Sequence, residues 1–235
     1  MAKRKLVHYK TVSVYKKIGV VMRIFSMGLL LGVTSFMSYA GNIEITVVDK
    51  QNKGLSNVVV YLTSENLAPQ KPDGKMGIMD QVNTQFLPHI LAVQRNTQVS
   101  FPNSDSIQHH VYSFSPAKVF ELELYKGLRA NPLLFEKVGV VELGCNVHDW
   151  MLGYIYVVDT PYFKQTDTAG KAMIVLPDGE YALKAWHPRI QDSPESFEIN
   201  LSVQGDDQIT VEIPSSLLPD VTAYENSDNE FGDYE

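Results

Sequence analysis

Hydrophobic positions recur with a period of two over most of the chain. Ile43, Ile45 and Val47 alternate with polar residues, the signature of a strand with one buried face. After the turn Asp49 to Gly54, Val58 to Leu62 is an unbroken apolar run of strand length and predicts a more fully buried strand. The polar, Pro- and Gly-rich residues 64 to 77 read as a loop. Strands are predicted again at 78–86, 89–93, 96–101, 109–114, 120–125, 139–143 and 154–158. Beyond Thr160, predicted strands 171–176 and 181–186 flank the turn Pro177-Asp-Gly-Glu, and 197–203 with 208–213 reads as a closing hairpin. No window carries a helical period. Many short strands with turn signals between them predict an all-β sandwich or barrel.

The first forty residues break this texture. They hold seven Lys or Arg and no acid, then an apolar run from Ile24 to Met37, then Ser38-Tyr39-Ala40 before Gly41. That order predicts a signal peptide over 1–40, cleaved after Ala40, and a periplasmic protein with no membrane span in its mature form. An uncleaved anchor is the alternative. The chain has 235 residues and is 44% hydrophobic, enough for one large or two small cores. None of the 27 acids precedes residue 41, so the rest of the chain carries a net charge of −14. This argues against nucleic acid and anionic membranes as partners. It suits a basic patch on a redox protein partner, although plain solubility is the more common reason for such a charge. The tail, 214–235, is acidic, poor in aliphatic residues after Leu218, and predicted disordered.

One cysteine, Cys145, serves the whole chain. In an exporting compartment a lone thiol pairs between chains, stays free, or is metallated. It lies in Gly144-Cys-Asn-Val-His-Asp-Trp-Met-Leu-Gly153, with His148 three residues on and Met151 three further. A thiolate, an imidazole and a thioether on one short loop are ligands that copper selects, and one more imidazole completes a His₂Cys plane with a weak axial Met. His109 and His110 offer it. Adjacent on a predicted strand, they point to opposite faces, so one of the two can face the metal easily. Only His89 and His187 remain beyond residue 40, with no His-x-His pair, too few for the further copper site of an oxidase. The eight Met residues do not cluster, which argues against a storage or chaperone module. Tyr112, Phe114 and Tyr154 read as core residues, His89 as structural, and His187 as a turn or surface residue. Trp150 reads equally as a metal shield, a partner contact or local packing.

Two segments carry a resemblance. Phe101-x-Asn103 followed by His109-His110-Val111 resembles the copper-strand motif of plastocyanin-like cupredoxins, and Cys145-x-x-His148-x-x-Met151 is similar to the short ligand loop of amicyanin. The resemblance covers about 78–158. It implies a Greek-key cupredoxin sandwich with one type 1 copper held by His109, Cys145, His148 and Met151. Asn103, Asn146 and His110 would be the neighbours of that ligand set. His110 stands where the family has Asn, and its N–H would take over that residue's hydrogen bond to the ligand loop.

The flanks resemble a carboxypeptidase-regulatory or transthyretin-like sandwich. One half is 41–63, with Ile45-x-Val47-x-Asp49 and Val58-Val-Val-Tyr-Leu62; the other is 160–213, with Leu176-Pro-x-Gly179-Glu-Tyr181. The cupredoxin would then be inserted into the small sandwich, the alternative being two modules in series. The whole is similar to bacterial proteins labelled methylamine utilization proteins. The resulting expectation is an exported, non-enzymatic blue-copper electron carrier. Its rivals are a copper chaperone and an envelope-binding module without electron transfer.

Overall fold

Period-two alternation builds strands wherever it occurs. The computed structural model describes residues 40–68, 70–127, 131–191, 197–214 and 217–219. The expected leader up to residue 39 and the tail from residue 220 lie outside the described residues. In chain order the strands are β1 (Ala40–Val48), β2 (Val59–Thr63), β3 (Gly77–Ile78), β4 (Asp80–Val82), β5 (Gln85–Leu87), β6 (Ile90–Gln94), β7 (Thr97–Ser100), β8 (His109–Ser115) and β9 (Lys118–Tyr125). They continue as β10 (Leu133–Phe135), β11 (Gly139–Leu143), β12 (Gly153–Val158), β13 (Phe163–Gln165), β14 (Lys171–Pro177), β15 (Gly179–Trp186), β16 (Glu198–Val203) and β17 (Asp207–Glu212). The fold is all-β. Among the described residues no helix is long and apolar enough to cross a membrane.

The first and last strands belong together. β1 lies between β14, antiparallel, and β17, parallel; β2 lies between β13 and β15, with β16 outside β15. These two sheets share one core. Ile43, Ile45 and Val47 of β1 and Ile174 and Leu176 of β14 meet Val60 and Leu62 of β2 and Leu183 of β15. A second core fills the middle of the chain, with Met79, Phe86, Val99, Phe101, Val111, Leu122, Phe135, Val141, Leu143 and Ile155 among its members.

A third, smaller cluster joins the two. Val59 and Tyr61 of β2 and Trp186 of β15 pack on Ile90, Tyr156 and Val158 of β6 and β12. Tyr156 and Trp186 stack at 4.4 Å with an interplanar angle of 1°, and the Tyr61 and Tyr156 hydroxyls are 3.0 Å apart. This explains the unbroken apolar run at β2: its alternate residues serve different cores on its two faces.

Three expectations change. Residues 78–86 do not form one strand but β3 and a β4–β5 hairpin. The break is at Asn83 and Thr84, both at positive φ (51° and 57°), as a two-residue type I′ loop requires. Residues 197–213 do not form a hairpin: β16 pairs with β15 and β17 with β1, so the connection crosses from one sheet to the other. The start of the tail is held to the fold, because Leu217 bridges to Ile190 and Leu218 N–H donates to Arg189 O at 2.8 Å.

Candidate metal centre

The ligand loop is the closed end of a hairpin. β11 pairs antiparallel with β12, Leu143 opposite Gly153, and residues 144–152 span the gap. Met151 N–H donates to His148 O at 3.0 Å, which tightens the turn. Gly144 ties the loop to β8 by exchanging both backbone hydrogen bonds with Tyr112, at 3.0 and 3.1 Å. The loop and the strand bearing His109 are thus fixed to each other by backbone, independent of any ligand.

The far end of the loop is fixed by packing. A Cβ on Gly153 would lie 2.7 Å from Phe86 Cβ, and Phe86 is 2% exposed in the core. A β-carbon has no rotamer to yield. Gly153→Ala is therefore expected to displace the start of β12 and cost about 1–3 kcal/mol, the usual penalty of overpacking. Chemical denaturation of the metal-free protein measures it.

Three donors converge. Cys145 Sγ is 3.9 Å from His109 Nδ1 and 4.0 Å from His148 Nδ1, and all three donor atoms lie within 4.8 Å of one another. A metal with nitrogen at about 2.0 Å and sulfur at about 2.3 Å in one plane sets such donors roughly 3.8 Å apart. One thiolate and two imidazoles suit copper in both oxidation states. The residues present fit the group. His109 is 0% and Cys145 3% exposed, while His148 is only half-buried. Met151, 2% exposed, shares the apolar cluster of Cys145. No disulfide competes for the thiol.

The two adjacent histidines part company as their alternation requires. His109 turns to Cys145, whereas His110 Nε2 is 2.8 Å from Glu121 Oε1 on β9. A bulge accompanies this, since His109 faces Tyr125 but Val111 faces Leu122, leaving an extra residue on β9. The expected bond from His110 to the ligand loop is absent: its partner is Glu121, and its buried Nδ1 has none. Asn103, 3% exposed, donates through Nδ2 to Ile107 O and Tyr125 O and so shapes the loop before His109. Asn146 is exposed.

One residue that the sequence did not single out holds His109 in place. Asp105 Oδ2 accepts from His109 Nε2–H at 2.7 Å and from Thr84 N–H at 2.8 Å, and Oδ1 accepts from Asn83 N–H at 2.8 Å. Burial pushes the Asp105 carboxyl up, but the Thr84 amide, His109 and the Asn83 amide outweigh it and hold the group below its ordinary value. An ionised carboxylate can only accept, so His109 donates to it through Nε2–H, and Nδ1 is the ring nitrogen that faces Cys145. The signal for Asp105 was four-residue spacing to His109, hidden in a Pro-Asn-Ser-Asp-Ser run that reads as a turn.

The centre approaches the surface on the His148 side. The His148 ring lies 5.2 Å from that of Trp150, which is 56% exposed. Phe114, expected in the core, is instead 79% exposed near the end of the β8–β9 hairpin and packs 5.2 Å from Tyr112. Both line an open groove of about 1630 Å³, whose other wall includes Leu55, His187 and Arg189. His187 Nδ1 accepts from Arg189 N–H within a turn, and the His89 ring meets Tyr154 at 5.5 Å.

No family model and no curated protein matches the chain. Solved structures do. A purple cupredoxin from Nitrosopumilus maritimus is 25% identical, with a TM-score of 0.30, over 34% of this chain and 96% of its own. The reduced Cu(I) form of an amicyanin mutant is 19% identical, TM-score 0.33, over 42% of this chain and 98% of its own. A Cu-containing nitrite reductase from Thermus scotoductus is 19% identical, TM-score 0.35, over 42% of this chain but only 25% of its own length.

Proposed function

We propose that this is an exported single-copper protein that carries one electron at a time between redox proteins, and that His109, Cys145, His148 and Met151 would hold the copper. The observation that carries the reading is the convergence of two imidazole Nδ1 atoms on one buried cysteine sulfur. Copper bound there supplies a one-electron couple between Cu(I) and Cu(II). The chain's own residues do the rest. Cys145, on a loop pinned at both ends, keeps the donor set from rearranging between oxidation states. The apolar cluster around it excludes water and lowers the dielectric. His148 is the natural exit, being the half-buried ligand beside exposed Trp150. No substrate turnover is part of this reading.

The architecture belongs to the same proposal. Residues 78–158 are read as a cupredoxin of the kind found in bacterial methylamine utilization proteins, inserted into a transthyretin-like sandwich made from 41–63 and 160–213. The pairing of β1 with β14 and β17 supports this. Export by a signal peptide ending at Ala40, and a periplasmic site of action, complete it.

The test is the optical and EPR spectrum of the chain from Gly41 onward, loaded with Cu(II). An intense thiolate-to-copper band in the red and a narrow copper hyperfine splitting are expected. A pale protein with ordinary Cu(II) splitting overturns the electron-carrier reading.

A further inference from the structure

We propose that Asp105 is a positioning residue of the metal centre: its carboxylate, clamped by the β4–β5 turn, holds His109 with Nδ1 toward Cys145 and biases a bound copper toward its higher oxidation state. This rests on the copper reading above and extends it to what sets the poise of the site.

The clamp is built from an unfavourable turn. Thr84 is β-branched yet sits at φ 57°, and Asn83 at 51°. Asn tolerates this region; a β-branched residue there is strained. The conformation has a visible use. It aims the backbone N–H groups of both residues at Asp105, at 2.8 Å each. Strain retained where the surroundings over-determine a conformation marks a functional contact.

The loop carrying Asp105 is latched from its other side too. Asp105 N–H donates to Asn103 Oδ1 at 3.0 Å, and Ser104 Oγ donates to Asp80 Oδ2 at 2.7 Å. With the carboxylate immobilised, its bond to the fully buried His109 Nε2 fixes both tautomer and ring orientation. A fixed negative charge behind the imidazole strengthens its donor nitrogen and favours the more positive metal. A purely structural Asp105 would need only the two turn amides. The third bond, to an imidazole whose other nitrogen faces the cysteine, is what a structural role leaves unexplained.

The experiment compares wild type, Asp105→Asn and Ser104→Ala by two readouts. The first is the reduction potential of the copper-loaded protein. The second is the ¹⁵N shifts of the His109 ring in the metal-free protein, which report its tautomer. Asp105→Asn is expected to keep the thiolate band and weaken Cu(II) binding by roughly 10–100-fold. A loss tenfold greater for Cu(II) than for Cu(I) raises the potential by about 59 mV. Its metal-free His109 should change from one Nε2–H tautomer to a mixture. Ser104→Ala loosens the same loop without touching His109 and should move neither readout.

Unchanged potential and tautomer in Asp105→Asn overturns the proposal, and so does an equal shift in Ser104→Ala. Should Asp105→Asn fail to fold, wild type decides alone: an Nδ1–H tautomer of metal-free His109 overturns it, and the Nε2–H tautomer supports it. A missing thiolate band in wild type would sink the copper reading, yet the tautomer measurement would still judge the role of Asp105.

Discussion

Cys145→Ser is expected to remove the intense thiolate absorption and to weaken copper binding by more than the roughly 10–100-fold that follows loss of an outer contact. The band requires a sulfur-to-copper bond, and Cys145 is the chain's one cysteine, so no other residue can restore it. Serine is nearly the same size. Its hydroxyl would face the same partners, His109 Nδ1 and His148 Nδ1, and with a small shift can donate to one of them. The metal-free fold should therefore survive, which separates a lost ligand from a lost structure. Competition against a Cu(I) chelator, with far-ultraviolet circular dichroism as the folding control, measures both. Retention of the band in the variant would mean that the colour does not come from this thiolate.

The second large effect involves none of the metal-ligand candidates. Trp186→Ala should cost about 3–5 kcal/mol, the usual price of truncating a buried tryptophan. Trp186 is 7% exposed and stacks flat on Tyr156, with Tyr154 meeting its edge at 6.0 Å. For a chain of this length the midpoint of thermal unfolding should fall by roughly 6–20 °C. The site of the damage makes the outcome more specific. Trp186 belongs to the cluster that joins the two larger cores, and neither of those includes it. Calorimetry should thus show one transition in wild type and two in the variant. A single transition with an unchanged midpoint would show that the aromatic stack does not couple the cores.

The strands were largely legible because their alternation is local. Ile43, Ile45 and Val47 face one core and are each fully buried. Partner choice was not legible. The parallel pairings of β1 with β17 and of β12 with β6 leave no local trace, since any apolar strand could have filled those places. The β4–β5 turn was missed for a different reason. Val-Asn-Thr-Gln lacks the glycine that advertises a type I′ loop, and the turn is held instead by Asp105, 21 residues away from Thr84. Cys145, His148 and Met151 announce themselves by spacing on one loop. The assignment of His109 rather than His110 needed the family resemblance, and Asp105 needed three dimensions.

The pairing of β1 with β17 has a consequence for how the chain comes together. Asn42 bonds to Asp206, 164 residues later, and every member of the inner core lies between Met79 and Val157. Contacts that close long loops form late, because the entropy of closure must be met before they reward it. A chain emerging from its N-terminus therefore completes the inner core first, while β1 and β2 wait with bare hydrogen-bonding edges for β13 to β17. Those edges are the segments most open to pairing with another copy. On the copper reading, the donor set of the inner core would be assembled before the outer sheets form.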